Sequence, residues 1–217
     1  MKYNYIAIEG NIGAGKTTLT NMLCKSFSAR VLHEEFEDNP FLAKFYEDRE
    51  RYGFQVELSF LADRYKQLGK MEAGPNLFQE KIIADFALFK SLVFAQHNLT
   101  GDEYLLFKNL FQIMFANLPK PELVIYLHLN IEKLFRNIAI RGRSFEKTIN
   151  SDYLINVQNS YMAFLKSQRD FPVVILDISE LDFINNEQHY QQIKDLFEQD
   201  WKPGLNFTQE NLSLSMI

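Results

Sequence analysis

Residues Gly10-Asn-Ile-Gly-Ala-Gly-Lys-Thr17 fill every fixed position of the phosphate-binding pattern G-x-x-x-x-G-K-[ST]. Glycines at these places let successive backbone N–H groups curl around phosphate oxygens at a helix N-terminus. Gly10, Asn11, Ile12, Gly13, Ala14, Gly15, Lys16, Thr17 and the following Thr18 are therefore the candidate cradle for a nucleoside triphosphate, with ATP the default. Lys16 would bring a point charge to the β- and γ-phosphates, and the Thr17 hydroxyl a coordination place for Mg²⁺. The flanks suit the pattern. Tyr3–Glu9 reads as a strand, and Thr18–Phe27 carries Leu19, Met22, Leu23 and Phe27 at helical spacing.

A phosphate loop does not say where the phosphoryl group goes. The segment Leu32-His-Glu-Glu-Phe-Glu-Asp-Asn-Pro40 bears on that, because Glu34, Glu35, Glu37 and Asp38 follow a second strand-like run. In open α/β sheets ligands bind at the C-terminal ends of the strands. A hydroxyl acceptor needs a base for its proton, which Glu34 can provide. A nucleoside monophosphate acceptor is already anionic and would be repelled by such a cluster. The segment thus argues against a nucleoside monophosphate kinase such as a thymidylate kinase, which shares the loop and a basic lid. Glu37 and Asp38 read as a solvated turn, with Asp38 or Asn39 capping the next helix. Further on, Arg141 and Arg143 flank Gly142 at a helix end. They can close as a lid on the transferring phosphoryl, or serve only as a basic C-terminus capped by glycine. Beside a phosphate loop the lid is favoured.

The elements that must position these groups follow from the apolar pattern. Strand-like runs recur at Tyr5–Glu9, Arg30–Leu32, Asn76–Ile83, Leu123–Leu129 and Val173–Leu176, separated by helical patterns. The last two runs are nearly continuous in apolar residues, as in strands covered on both faces. An α/β fold of three layers is expected, with a five-stranded parallel sheet flanked by helices. Pro119 and Pro121 end a helix over Asp102–Leu118, and Pro172 precedes the fifth strand. Residues 1–200 read as a single domain and 201–217 as a weakly structured tail. The 217 residues are 47% hydrophobic with a net charge of −5, which points away from a nucleic-acid polymer as partner. Cys24 is the only cysteine, so no internal disulfide can form, and it reads as a buried small residue. No apolar run approaches membrane-spanning length and the first strand begins too near Met1 for a signal peptide. A cytoplasmic protein is expected. An Asn/Thr-Lys-x-Asp guanine-reading motif is missing, against a GTPase switch, while a binding-only nucleotide module stays open.

The chain resembles the deoxynucleoside kinase family, and within it the bacterial deoxyguanosine/deoxyadenosine kinase type. The matching segments are Ile8–Thr18, Asp38–Leu42 with Phe45-Tyr46, Phe54-Gln55 with Asp63–Leu68, Ser91–Ala95, Pro121–Tyr126, Arg141–Glu146, Leu176-Asp177 and Asp182-Phe183. The resemblance implies a kinase that phosphorylates the 5′-hydroxyl of a deoxynucleoside, purine favoured, with ATP and Mg²⁺, as a homodimer. It implies Glu34 as the base, Tyr46 and Glu146 at the deoxyribose 3′-hydroxyl, Gln55 at the nucleobase edge, and Arg141 and Arg143 in the lid. Asp182-Phe183 would lie around the adenine of ATP, and Phe94 or Phe89 would stack on the acceptor base.

Two departures stand out. Where the family has Glu/Asp-Arg-Ser after the third strand, this chain has Asp85-Phe86-Ala87. The acid remains, and Asp85 can join Thr17 on Mg²⁺. Under a slipped alignment Asp85 would instead pair with a base-reading arginine. The arginine itself is missing. The second departure is in the base pocket. Gln55 and Arg64 are nine residues apart, about 180° around a helix, so both cannot face one ligand. Glu57 and Arg64, seven apart, share a face, and either pair with each other or read the base together.

Overall fold

The computed structural model describes residues 1–36, 38–72 and 80–208. The first half of the chain runs β1 (Tyr5–Gly10), α1 (Lys16–Phe27), β2 (Arg30–Leu32), α2 (Leu42–Glu47), α3 (Arg49–Glu72), β3 (Ile82–Ala84) and α4 (Lys90–Asn98). The second half continues with α5 (Gly101–Phe115), β4 (Leu123–His128), α6 (Ile131–Arg141), a 3₁₀ turn (Ser144–Thr148), α7 (Ser151–Ser167), β5 (Pro172–Asp177), α8 (Glu187–Asp195) and β6 (Gly204–Phe207).

All strand pairs are parallel, in the order β2-β3-β1-β4-β5-β6. The continuous apolar runs take the middle, as burial on both faces requires. Every residue of β1 is buried, and so are the first five of β4 and of β5. Ile6, Ile8, Val124, Ile125, Val173 and Val174 belong to the main hydrophobic cluster, with α1 and α7 packed on the sheet. A second cluster joins Leu61 and Leu68 of α3 to Phe86, Phe107 and Phe115. Cys24 lies buried in α1. None of the helices among the described residues is long and apolar enough to cross a membrane.

Among the described residues the sheet has six strands, not five. Gly204–Phe207 lies beyond the expected domain end and pairs with β5, Val173 opposite Leu205 and Ile175 opposite Phe207. This edge strand has four residues, is half-exposed after Gly204, and follows Pro203, so neither length nor apolar pattern marks it. Trp201 anchors the approach, its Nε1–H donating to the Leu196 carbonyl at 2.9 Å. The third strand is shorter than Asn76–Ile83 and begins at Ile82, while residues 76–79 lie outside the described residues. Glu37 also lies outside them. Helix α5 ends at Phe115, ahead of Pro119.

The strand order fixes where a ligand can sit. β1 lies between β3 and β4; the chain leaves it for β2 on one side and later crosses from β3 to β4 on the other, which makes the C-terminal end of β1 a topological switch point. The loop Gly10–Thr17 leaves the sheet there, between the ends of β3 and β4.

Candidate active site

The phosphate loop holds its shape through backbone that only glycine tolerates at two key places. Gly10 has φ +152° and Gly13 φ +84°; a Cβ on them would lie 2.7 Å from the Leu127 carbonyl oxygen and 2.8 Å from that of Leu134. Asn11 ties the loop to α7 by donating from Nδ2 to the Leu154 carbonyl at 2.8 Å. Asn137 of α6 donates to the Gly13 carbonyl, also at 2.8 Å. Lys16 folds across the loop and donates to the carbonyls of Gly10 and Asn11 at 2.8 and 3.0 Å. Burial, and then the nearby Lys90 charge, bring its ammonium down to about 8. Residues Ile12 to Thr18 line a cavity of about 1300 Å³, whereas Gly10 and Asn11 frame the loop from behind.

Asp85, just beyond β3, knits the loop to the segment after β2. One oxygen accepts from the Thr17 hydroxyl at 2.7 Å and lies 3.0 Å from His33 Nδ1; the other accepts from the Glu34 backbone N–H at 2.7 Å. Asp85 therefore sits on the phosphate side, held by Thr17, His33 and the Glu34 backbone. Mg²⁺ takes one or two carboxylates plus phosphate and water oxygens, and the touching oxygens of Thr17 and Asp85 fit that donor set.

Glu34 lines the same cavity. Arg64 donates to its Oε1 from Nε and Nη2 at 3.0 and 2.6 Å, and the Lys90 ammonium pairs with Oε2. Burial works to raise its pKa, but Lys90 and Arg64 outweigh burial and hold the carboxyl at about 2. Glu34 is thus ionised throughout the physiological range. Arg64 is fixed on its other side by Nη1 donating to Ser91 Oγ at 2.7 Å.

Beyond Glu34 the cavity widens among α2, α3, α4 and α7. Val56, Glu57, Phe60 and Arg64 of α3 face it; Gln55 is exposed and points elsewhere. Gln55, expected at a base edge, does not line the cavity, whereas Glu57, which shares the Arg64 face, does. Arg64 does not pair with Glu57. Glu57 Oε1 accepts from Asn98 Nδ2 at 2.7 Å, while its buried Oε2 has no hydrogen-bond partner. Burial pushes this carboxyl up to about 7. Phe94 lines the cavity, edge-on to Tyr161 at 6.1 Å. Its rival Phe89 is buried in the core, stacked on Phe164 at 4.6 Å.

The opposite wall comes from α6 and the turn after it. Gly142 caps α6 with φ +69°, which sends the chain back so that Arg141 and Arg143 flank Glu146. Arg141 donates to both Glu146 oxygens at 3.1 and 2.6 Å, and Arg143 Nη1 lies 3.5 Å from Oε1. Gly142 thus caps the helix, and both arginines line the cavity. Tyr46 is buried beside this group, stacked on Phe145 at 5.8 Å, and with Glu146 it lines the cavity. Asp182 and Phe183 form the far rim, the Phe183 ring reaching over Gly15. The sequence reasoning missed Lys90 and Asn98 of α4 and Arg136 of α6, all lining the same space. No local pattern marks them; the missing arginine at Phe86 left open whether its charge is dropped or supplied from elsewhere.

A parallel sheet with a phosphate loop at its switch point and paired guanidiniums opposite is the architecture of a P-loop kinase. Residues 6–200 match the model of the deoxynucleoside kinase family, and the chain belongs to that family. It is 36% identical over 196 residues to a deoxyguanosine kinase of Bacillus subtilis (strain 168), spanning 87% of this chain and 93% of the relative. A deoxyadenosine/deoxycytidine kinase of the same bacterium is 31% identical, over 89% of this chain and 91% of its own length. Among solved structures, the deoxyadenosine kinase from M. mycoides with bound dCTP superposes with a TM-score of 0.75 at 26% identity. That match covers 89% of this chain and 98% of the other. The protein is an enzyme that phosphorylates deoxynucleosides.

Proposed function

We propose that the protein transfers the γ-phosphoryl group of ATP to the 5′-hydroxyl of a purine deoxynucleoside, for nucleotide salvage in the cytoplasm. The observation that supports this most is the position of Glu34. It is an ionised carboxylate in the cavity, between the phosphate loop and the apolar chamber of Val56, Phe60 and Phe94. A neutral hydroxyl can approach it; a phosphate acceptor would meet its charge. Glu34 accepts the hydroxyl proton. Lys16 meets the β- and γ-phosphates, and Arg141 and Arg143 face the transferring group across the cavity. Thr17 and Asp85 would hold Mg²⁺, which neutralises phosphate charge when bound. The adenine of ATP lies along Asp182 and Phe183.

In the acceptor chamber Tyr46 and Glu146 bind the deoxyribose 3′-hydroxyl, and Phe94 stacks on the base. Glu57 and Arg64 read the base edge, a carboxyl and a guanidinium on one helix face. The purine preference rests on the names of the relatives, deoxyguanosine and deoxyadenosine/deoxycytidine kinases. A homodimer would form through α4 and α5.

A panel of deoxynucleosides with Mg·ATP, followed by ADP release, tests the reading. Deoxyguanosine or deoxyadenosine should give the highest kcat/KM, with dTMP inactive. ADP release with dTMP and none with deoxynucleosides would overturn it.

A further inference from the structure

Lys90 opens α4 and is only 7% exposed. Its ammonium pairs with Glu34, which Arg64 also holds. The two cations differ in freedom. Arg64 is a planar fork fixed on Glu34 and, at 2.7 Å, on Ser91. Lys90 is a point charge on a flexible stem. Lys90 lines the same cavity as Lys16 of the phosphate loop, and its charge acts on both Lys16 and the buried Glu9 of β1. Two ammoniums, one from the start of α1 and one from the start of α4, thus flank the path from the loop to Glu34. Phe86 and Ala87, next to Asp85, are fully buried apolar residues and bring no charge there. Like charges held in a buried floor repel each other. A phosphoryl group in transfer, with negative charge spread over three equatorial oxygens, would attract both.

We propose that Lys90 is a catalytic residue whose ammonium moves from Glu34 onto the transferring phosphoryl group. In that step the bond from the γ-phosphorus to the β,γ-bridging oxygen breaks and the bond from the acceptor oxygen to the γ-phosphorus forms. The hydroxyl proton passes to the Glu34 carboxylate, and Lys90 keeps its protons throughout. The move does two things at once. It places charge on the equatorial oxygens, and it frees one carboxylate oxygen from a cation that depresses its basicity. The inference rests on the reading of Glu34 as the base.

The test compares wild type with Lys90→Met and Lys90→Arg in the full chain. Steady-state kinetics are measured, along with calorimetric binding of ADP plus deoxyguanosine, with and without aluminium fluoride as a mimic of the transferring group. Lys90→Met should lower kcat by roughly 100-fold and weaken the aluminium fluoride complex by a similar factor. Binding of ADP and deoxyguanosine without fluoride should stay near wild type, and Lys90→Arg should restore much of both losses. Should Lys90→Met fail to fold, Lys90→Gln carries the same expectation. An aluminium fluoride complex as tight in these variants as in wild type would overturn the proposal, even with a reduced kcat, because Lys90 would then only hold Glu34. The base reading fails on a separate readout, undiminished turnover of Glu34→Gln, so the two failures are distinguishable.

Discussion

Two carboxylates on the same cavity are driven in opposite directions by their neighbours. Glu34, with two cations on it, is held at about 2; Glu57, buried with an amide as its hydrogen-bond partner, is pushed up to about 7. For Glu57 the sign of the stability effect follows from linkage. Its folded value lies above the ordinary 4.5, so its contribution is fully present below about 4.5 and is lost as pH rises through about 7. Glu57→Gln keeps the shape and an oxygen for Asn98 but has no charge to bury. Thermal melts should show the variant gaining on wild type between about pH 5 and about pH 8, with little difference at the acid end. A gap independent of pH would show that Glu57 is not the titrating group. The same variant should alter the ranking of deoxynucleosides by kcat/KM, since Oε2 is the buried oxygen left for the base.

At the scale of elements, the phosphate loop is the most constrained part of the molecule. Gly13→Ala would need a side chain at φ +84° with its Cβ 2.8 Å from a backbone carbonyl of α6. The strain is roughly 1–3 kcal/mol, concentrated in the loop. ATP binding should weaken by about tenfold or more, each tenfold being about 1.4 kcal/mol, while the far-ultraviolet circular dichroism stays that of wild type. ATP titrations matching wild type would contradict the geometry. The loop was legible in the sequence because its function is local: eight residues in a row carry the whole pattern. β1, β4 and β5 were legible because burial on both faces leaves an uninterrupted apolar signature. β6 was not, because a four-residue edge strand needs no such signature. Gln55 shows a different limit. Its match to a family segment pointed into the site, yet helical angle alone put Glu57 and Arg64 on the shared face, and the helix followed the angle. Lys90 was illegible, because its meaning arises only when α4, packed between α3 and α7, brings its first turn to Glu34 beyond the end of β2.

For the whole molecule, the layers leave an apolar face of α5 uncovered. Leu106 and Ile113 of α5, seven residues apart and so on one face, are 51% and 75% exposed. As part of a homodimer this face would be buried. Sedimentation velocity of Ile113→Glu should then show monomer at concentrations where wild type sediments as a dimer. A wild-type monomer would remove α5 from the account without touching the active site, since the cavity is lined within one chain. The central claim is that the molecule moves a phosphoryl group onto a neutral hydroxyl with Glu34 as the base. It is tested most directly by single-turnover kinetics of Glu34→Gln with Mg·ATP and deoxyguanosine, alongside ATP titrations. The rate of ADP formation should fall by roughly 10²–10⁴-fold, with ATP affinity unchanged. Turnover at the wild-type rate would contradict it.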